Sequence, residues 1–455
     1  MKRLLASSIF ILLVVQYITV LAQDIVNSRQ REIVITHVNV IPMDKEQVLQ
    51  DQTVVVKDGK IISVSKQAKY SKGALIINAP GKYLIPGLAE MHAHVPPIDD
   101  IEPMKEVLAL FAANGITTIR GMLGHPKHLE LRSKIQQGEI LGPHLYTTGP
   151  SFNGMSVTSP EAGAEMVRKQ KAAGYDYLKL HPGLTRAKFD AIAATAKEVG
   201  IPFVGHVSFG VGVWHAIDAG YSSIDHLDGF IEGIVPGIET MNEQQTGLFG
   251  MYVASQADTA RIPALTKALH DKHIWVVPTQ SLAERWFAPN FTPDVFLTEP
   301  ETKYMKAETV NQWAETKKNL LNNPQYNTAM AENFIRLRRK LIASCLQAGV
   351  GLLLGCDAPQ VFNVPGFSTH NELQFMVRSG LTPYQALQAG TVNVARYLNK
   401  PDAGIIKAGA IADLVLIDGN PLNDISQTKK IEGVMLDGKW LSKEYIADSL
   451  QKLVK

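Results

Sequence analysis

Eight short apolar runs punctuate residues 83–357, at 83–94, 115–121, 143–149, 176–180, 202–206, 222–226, 273–279 and 350–357. Each closes on turn or polar residues. Helix-like stretches lie between them, among them 102–114, 160–174, 185–200, 209–220, 262–272 and 334–349. Several of these stretches end on Asn114-Gly115, Ala173-Gly174, Ala219-Gly220 or Ala348-Gly349, a helix C-terminus signal. Strands alternating with helices call for a parallel sheet covered by helices, and eight strands is the number that closes a (β/α)8 TIM-like barrel. A doubly wound open sheet is the rival arrangement, but no G-x-G-x-x-G follows the first strand. Residues 280–333, rich in Trp, Glu, Lys and Asn, break the rhythm. They read as a helical insertion over the barrel mouth, either a lid or a surface decoration.

The two ends of the chain look alike. Residues 53–64 read TVVVKDGKIISV and residues 432–442 read EGVMLDGKWLS. In both, apolar runs flank Asp-Gly, at Asp58-Gly59 and Asp437-Gly438, a strong hairpin signal. Further strands are expected at 33–41 and 413–418. Residues 31–85 plus 404–445 are therefore expected to form a small β-sandwich domain built from both termini, leaving 86–403 to the barrel.

Met1-Lys2-Arg3 precedes an uncharged, mostly apolar run from 4 to 22 that ends Val20-Leu21-Ala22. This pattern predicts a secretory signal peptide, 1–22, and a secreted or periplasmic protein; a retained N-terminal membrane anchor is the alternative. The chain carries 45 Lys+Arg against 43 Asp+Glu, and losing Lys2 and Arg3 with the signal leaves no net formal charge. The strong basic field that nucleic-acid binding needs is absent. No stable membrane association is expected after cleavage, and a homo-oligomer is compatible with the sequence. Cys345 and Cys356 are the only cysteines, too few for a disulfide framework, and read as buried thiols.

The ends of the apolar runs carry the chemistry. They read Glu90-Met91-His92-Ala93-His94, Tyr177-Leu178-Lys179-Leu180-His181, Val204-Gly205-His206, Ile224-Asp225-His226 and Leu354-Gly355-Cys356-Asp357. His-x-His on a strand points both imidazoles to one side, where they can chelate zinc. A single such pair arises by chance. Repetition at the strand ends of a barrel, where active sites gather, points to a metal centre. Lys179 is out of place there as an ammonium. It is either carboxylated, giving an anionic bridge between two cations, or a structural lysine paired with Asp357.

Pro86-Gly87-Leu88-Ala89-Glu90-Met91-His92-Ala93-His94, Leu178-Lys179-Leu180, Gly205-His206, Ile224-Asp225-His226 and Gly355-Cys356-Asp357-Ala358 together resemble the amidohydrolase superfamily. The similarity is strongest to its imidazolonepropionase-like and Xaa-Pro dipeptidase branch. Thr369-His370-Asn371-Glu372-Leu373 and Ala412-Asp413-Leu414-Val415-Leu416 extend it to the C-terminus. The resemblance implies one cation on His92, His94 and Asp357, a second on His206 and His226, and carboxylated Lys179 bridging two Zn2+. It implies hydrolysis of a C–N bond in a small molecule by a metal-bound hydroxide, with Asp357 as the catalytic proton carrier. Xaa-Pro dipeptides, N-acyl amino acids and cyclic amides suit the family. His181, His370 and Arg120 are substrate-binding candidates, each with a structural role as the alternative. Glu90 stands where the family commonly has Asp, and 150–154 lacks the Gly-Gly-His typical of dipeptidases, which leaves the substrate open. A mononuclear imidazolonepropionase- or deaminase-type hydrolase is the rival enzyme, and a non-catalytic binding barrel the rival outside enzymes.

Overall fold

The structure, a computed structural model, describes residues 25–455, so the expected signal peptide lies outside the described residues. The N-terminal segment supplies β1 (Val26–Asn27), β2 (Ile33–Val40), β3 (Leu49–Lys57), β4 (Lys60–Ser65), β5 (Leu75–Asn78) and β6 (Tyr83–Pro86). The middle supplies β7 (Leu88–Ala93), β8 (Ile116–Gly121), β9 (His144–Thr147), β10 (Leu178–Leu180), β11 (Phe203–Gly205), β12 (Ser223–Asp225) and β13 (Trp275–Val277). The C-terminal segment adds β14 (Leu414–Ile417), β15 (Ile431–Leu436) and β16 (Lys439–Ser442).

Both ends of the chain share one sheet. Its order is β1-β16-β15-β14-β6-β2-β3-β4, with β5 paired to β2. Both Asp-Gly pairs form hairpin turns with left-handed φ at each residue: 52° and 73° at Asp58-Gly59, 47° and 71° at Asp437-Gly438. In place of the two sheets of a sandwich there is one continuous nine-stranded ladder, because β6 pairs with β2 on one side and β14 on the other. This domain also begins before residue 31, since β1 pairs with β16. The apolar run 83–94 divides at Gly87. Its first part, β6, belongs to this sheet, and its second, β7, to the parallel core. A side chain at Gly87 would overlap Thr117, so the crossing needs glycine.

The core strands are parallel, in the orders β7-β8-β9 and β10-β11-β12-β13. Isolated parallel bridges link the two groups at Thr148–Tyr177 and Phe152–Leu180. The expected eighth strand, 350–357, forms no ladder. A single bridge, Val276–Leu352, joins it to one neighbour, and the residue that follows it bridges the other at Ala93–Ala358. One reason is that the Cys356 N–H, a natural ladder donor, goes to Glu90 Oε1 at 2.8 Å. Every residue of β7 is buried, as expected of a strand covered on both faces.

Residues 280–333 are helical for much of their length, through Gln280–Phe287, Pro293–Leu297 and Ala307–Leu321. Leu282, Phe296, Val310 and Trp313 of this segment form a small separate core together with Val361, Phe362 and Val364. No helix among the described residues is long and apolar enough to cross a membrane.

Candidate metal centre

The C-terminal ends of the parallel strands bring His92, His94, Lys179, His181, His206, His226 and Asp357 into one buried cluster. The His92 and His226 ring centres are 4.4 Å apart, those of His206 and His226 4.3 Å, and those of His181 and His206 5.1 Å. Lys179 Nζ lies 3.2 Å from His92 Nε2. Asp357 Oδ1 stands 3.1 Å from His94 Nε2 and 3.7 Å from His92 Nε2, and Oδ2 stands 3.7 Å from His226 Nδ1. Ligand atoms of His92, His226 and Asp357 all fall within 4.8 Å of one another. His226 and Asp357 hold left-handed φ of 64° and 66°, a conformation uncommon outside glycine and concentrated at functional sites.

Three of the imidazoles are oriented from behind. Asp225 Oδ2 accepts from His92 Nδ1 at 2.8 Å, and Asp228 Oδ2 from His206 Nδ1 at 2.8 Å. Thr279 Oγ1 meets His226 Nδ1 at 2.9 Å. Engaging Nδ1 in this way leaves Nε2 with its lone pair directed elsewhere, the usual outer-shell arrangement of metal-binding histidine. Arg338 holds the strand ends in turn, donating to the carbonyls of His226 at 2.6 Å and Pro278 at 2.8 Å. His94 Nε2, His181 Nδ1, His226 Nε2 and Asp357 Oδ1 are shielded from solvent and make no hydrogen bond. Orphaned polar atoms are costly in a protein interior unless a ligand meets them. This donor set fits divalent cations.

The electrostatics agree. Burial holds His92, His206 and His226 far below the ordinary imidazole range and pushes His94 down to about 3, so all four stay neutral, the form that binds metal. Burial pushes Asp357 up to about 7 against the attraction of Lys179. It pushes Lys179 down to about 8 against Asp225 and Asp357. Lys179 reaches the cluster past Gly205, whose φ is 114°. A Cβ there would stand 2.5 Å from Leu180 O and 2.8 Å from Lys179 Cδ.

Two expected substrate-binding residues are placed otherwise. Arg120 is buried and its fork is spent internally, on Met91 O at 2.8 Å, Ser223 Oγ at 3.0 Å, the Tyr397 hydroxyl at 2.9 Å and Asp225 Oδ1 at 3.2 Å. His370 has both ring nitrogens occupied, by Thr428 Oγ1 and Asn114 O at 3.0 Å each. Neither has a group free for a substrate carboxylate. His181, by contrast, stacks on His206 within the cluster. The orienting roles of Asp225, Asp228 and Thr279 are additional to the residues the sequence marks as ligands. The signal for Asp225 was its place beside His226; Asp228 and Thr279 carried none that spacing could show.

Residues 83–441 match the model of the amidohydrolase family. Ochratoxinase from Aspergillus niger is 25% identical over 435 residues, covering 88% of this chain and 84% of that protein. Imidazolonepropionase from Streptococcus sanguinis is 23% identical over 410 residues, covering 84% and 87%. A Xaa-Pro dipeptidase solved with methionine in its active site shares the fold, with a TM-score of 0.66 at 20% identity over 90% of this chain and all of that one. With the family model spanning most of its length, this chain belongs to the amidohydrolase family of hydrolases.

Proposed function

We propose that this protein is a secreted, metal-dependent hydrolase that cleaves an amide C–N bond in a small substrate, with Xaa-Pro dipeptides and N-acyl amino acids as the favoured classes. The observation that carries this reading is that His92, His226 and Asp357 bring ligand atoms within 4.8 Å of one another while His94 Nε2, His226 Nε2 and Asp357 Oδ1 are shielded from solvent with no hydrogen-bond partner. His92, His94 and Asp357 would hold one divalent cation, His206 and His226 a second, and Lys179, once carboxylated, would bridge them. Bound divalent cations supply Lewis acidity toward the carbonyl and a reactive water at neutral pH. The Asp357 carboxylate takes the proton of the attacking water and returns it to the leaving nitrogen, which departs poorly as an anion. His181 lies beside the cluster to contact substrate. The single bridges on both sides of 350–357 support a closed (β/α)8 ring around this site. The basic start and Val20-Leu21-Ala22 support secretion.

The test combines metal analysis with a panel of Xaa-Pro dipeptides, N-acyl amino acids and lactones. Two metals per chain and amide turnover that His92→Ala and Asp357→Asn abolish are expected. Lactone hydrolysis without amide hydrolysis would overturn the C–N assignment. A mononuclear imidazolonepropionase- or deaminase-type hydrolase is the second reading, favoured by the close His92–His226–Asp357 grouping. A metal-to-protein ratio near one decides for it.

A further inference from the structure

Beside the cluster lies a pocket of about 760 Å3, built from the loops that follow β10, β11 and β12. Much of its wall is apolar, including Val211, Val213, Leu248, Trp214 and Phe249. Phe249 separates it from the metal ligands, its ring centre 5.4 Å from that of His226 and 6.2 Å from that of His206. Asp228, which orients His206, also lines it.

Glu232 is the anomaly in this wall. Its Oε2 is shielded from solvent and has no hydrogen-bond partner. Gly250 lies against the carboxyl, where a Cβ would stand 2.9 Å from both Cδ and Oε2. The chain thus makes room for Oε2 without giving that oxygen a donor. The two arginines of the pocket are engaged elsewhere, Arg186 on Val211 O at 2.9 Å and Arg261 on Asp258 at 3.7 Å. Burial pushes Glu232 up to about 8, with Asp228 adding to the effect and Arg338 opposing it.

We propose that this pocket is a substrate side-chain subsite and that Glu232 makes it selective for a cationic group, an ammonium or guanidinium on an apolar stem. The proposal rests on the amide-hydrolase reading above and names its substrate class. An incoming cation gives the orphaned Oε2 a charged donor and relieves its repulsion with Asp228. The stem's methylenes meet the valines and Leu248, and Trp214 and Phe249 offer aromatic rings to the positive charge. A neutral hydrogen-bond acceptor would satisfy one atom but leave that repulsion to be relieved by protonation alone.

The test uses the metal-loaded full chain with Xaa-Pro dipeptides and N-acetyl amino acids whose variable side chain is lysine, norleucine or glutamine. KM for the lysine compound is expected to be roughly tenfold below that of norleucine, as a charge-assisted contact gives. Glu232→Gln is expected to bring that ratio close to one. Equal KM values for lysine and norleucine, a preference for glutamine, or a lysine preference that survives Glu232→Gln would each overturn the proposal. Should Glu232→Gln fail to fold, Trp214→Leu reads the same ratio, which is expected to shrink. If no compound is hydrolysed, the functional reading fails by itself. Calorimetric binding of the lysine and norleucine dipeptides then decides the pocket, with equal affinities counting against it.

Discussion

Asp225 is shared between His92 and Arg120. Its Oδ2 accepts a hydrogen bond from His92 Nδ1 at 2.8 Å, while its Oδ1 accepts from Arg120 Nη2 at 3.2 Å. All three side chains are buried. The guanidinium fixes the carboxylate, and the carboxylate fixes the tautomer and tilt of an imidazole in the candidate metal cluster. Arg120 therefore acts on the site from two side chains away, not by touching substrate.

Asp225→Asn keeps the shape but weakens the hold on His92 Nδ1. Metal affinity is expected to fall roughly 10- to 100-fold, as when outer-shell partners are removed elsewhere. Competition with a chromophoric chelator measures it. Arg120→Met leaves the Asp225 charge buried without its cation and is expected to cost about 3–5 kcal/mol in denaturant unfolding. An unchanged chelator competition in Asp225→Asn would mean His92 needs no such partner.

Glu90 ties the first core strand to the segment before Asp357. Its Oε1 accepts from His92 N at 3.1 Å and Cys356 N at 2.8 Å, and its Oε2 from Cys356 Sγ and Thr369 Oγ1, each at 2.9 Å. Glu90→Ala leaves the His92 and Cys356 N–H groups and the Thr369 hydroxyl without their acceptor and opens a cavity, with an expected loss of about 2–4 kcal/mol in the urea midpoint analysis. Glu90→Gln keeps one acceptor oxygen and is expected to lose about half as much. A variant of either kind as stable as the parent would show that the ladder-less segment is held by something else.

The strand-end histidines were legible because a parallel fold turns sequence spacing into position. Each His stands at or just beyond the C-terminal end of an apolar run, so naming the runs named the cluster. Arg120 and His370 show where that logic stops. Arg120 also sits at a strand end, yet its side chain runs under the cluster to Asp225 and Tyr397, a direction that spacing does not encode. His370 lies on the helix Phe367–Arg378, and its partners come from two distant segments, Asn114 at the end of the helix Glu102–Ala113 and Thr428 in the short helical turn Ile425–Lys429 before β15. The Asp-Gly hairpins at both ends likewise foretold a shared β-domain. That β6 would fuse its two halves into a single ladder depends on pairing partners more than 300 residues apart, as at Tyr83 and Ile417.

Gly205 is where the backbone yields to Lys179. With φ at 114° and Leu180 O and Lys179 Cδ both inside contact range of any Cβ, Gly205→Ala must displace the lysine stem. Because Lys179 Nζ is 3.2 Å from His92 Nε2, the displacement falls on the proposed bridge. Loss of one of two metals per chain is expected, read by elemental analysis, with at least about a hundredfold lower kcat, as small misplacements of catalytic groups cause. Full metal content in a folded Gly205→Ala protein would show that Lys179 tolerates the shift.

Lys317 offers a test of pH dependence away from the cluster. It lies on the helix Ala307–Leu321, buried, donating to Trp286 O at 2.6 Å and Ala288 O at 2.7 Å, with no carboxylate in ion-pair range among the described residues. Burial pushes it down to about 7 from its ordinary value of 10.5. Below about pH 7 the folded and unfolded chains both carry the proton, and the folded state bears the full cost of a buried charge. As pH rises from there toward 10.5, the folded chain releases the proton while the unfolded chain keeps it. The unfolded state then binds more protons, so stability rises with pH across this window. Lys317→Met removes the titrating group but keeps a stem of similar bulk. The Tm of the parent relative to Lys317→Met is therefore expected to climb between pH 7 and pH 10, measured by differential scanning calorimetry at matched ionic strength. A difference that stays flat across that range would place the lysine's charge in contact with water or with an anion.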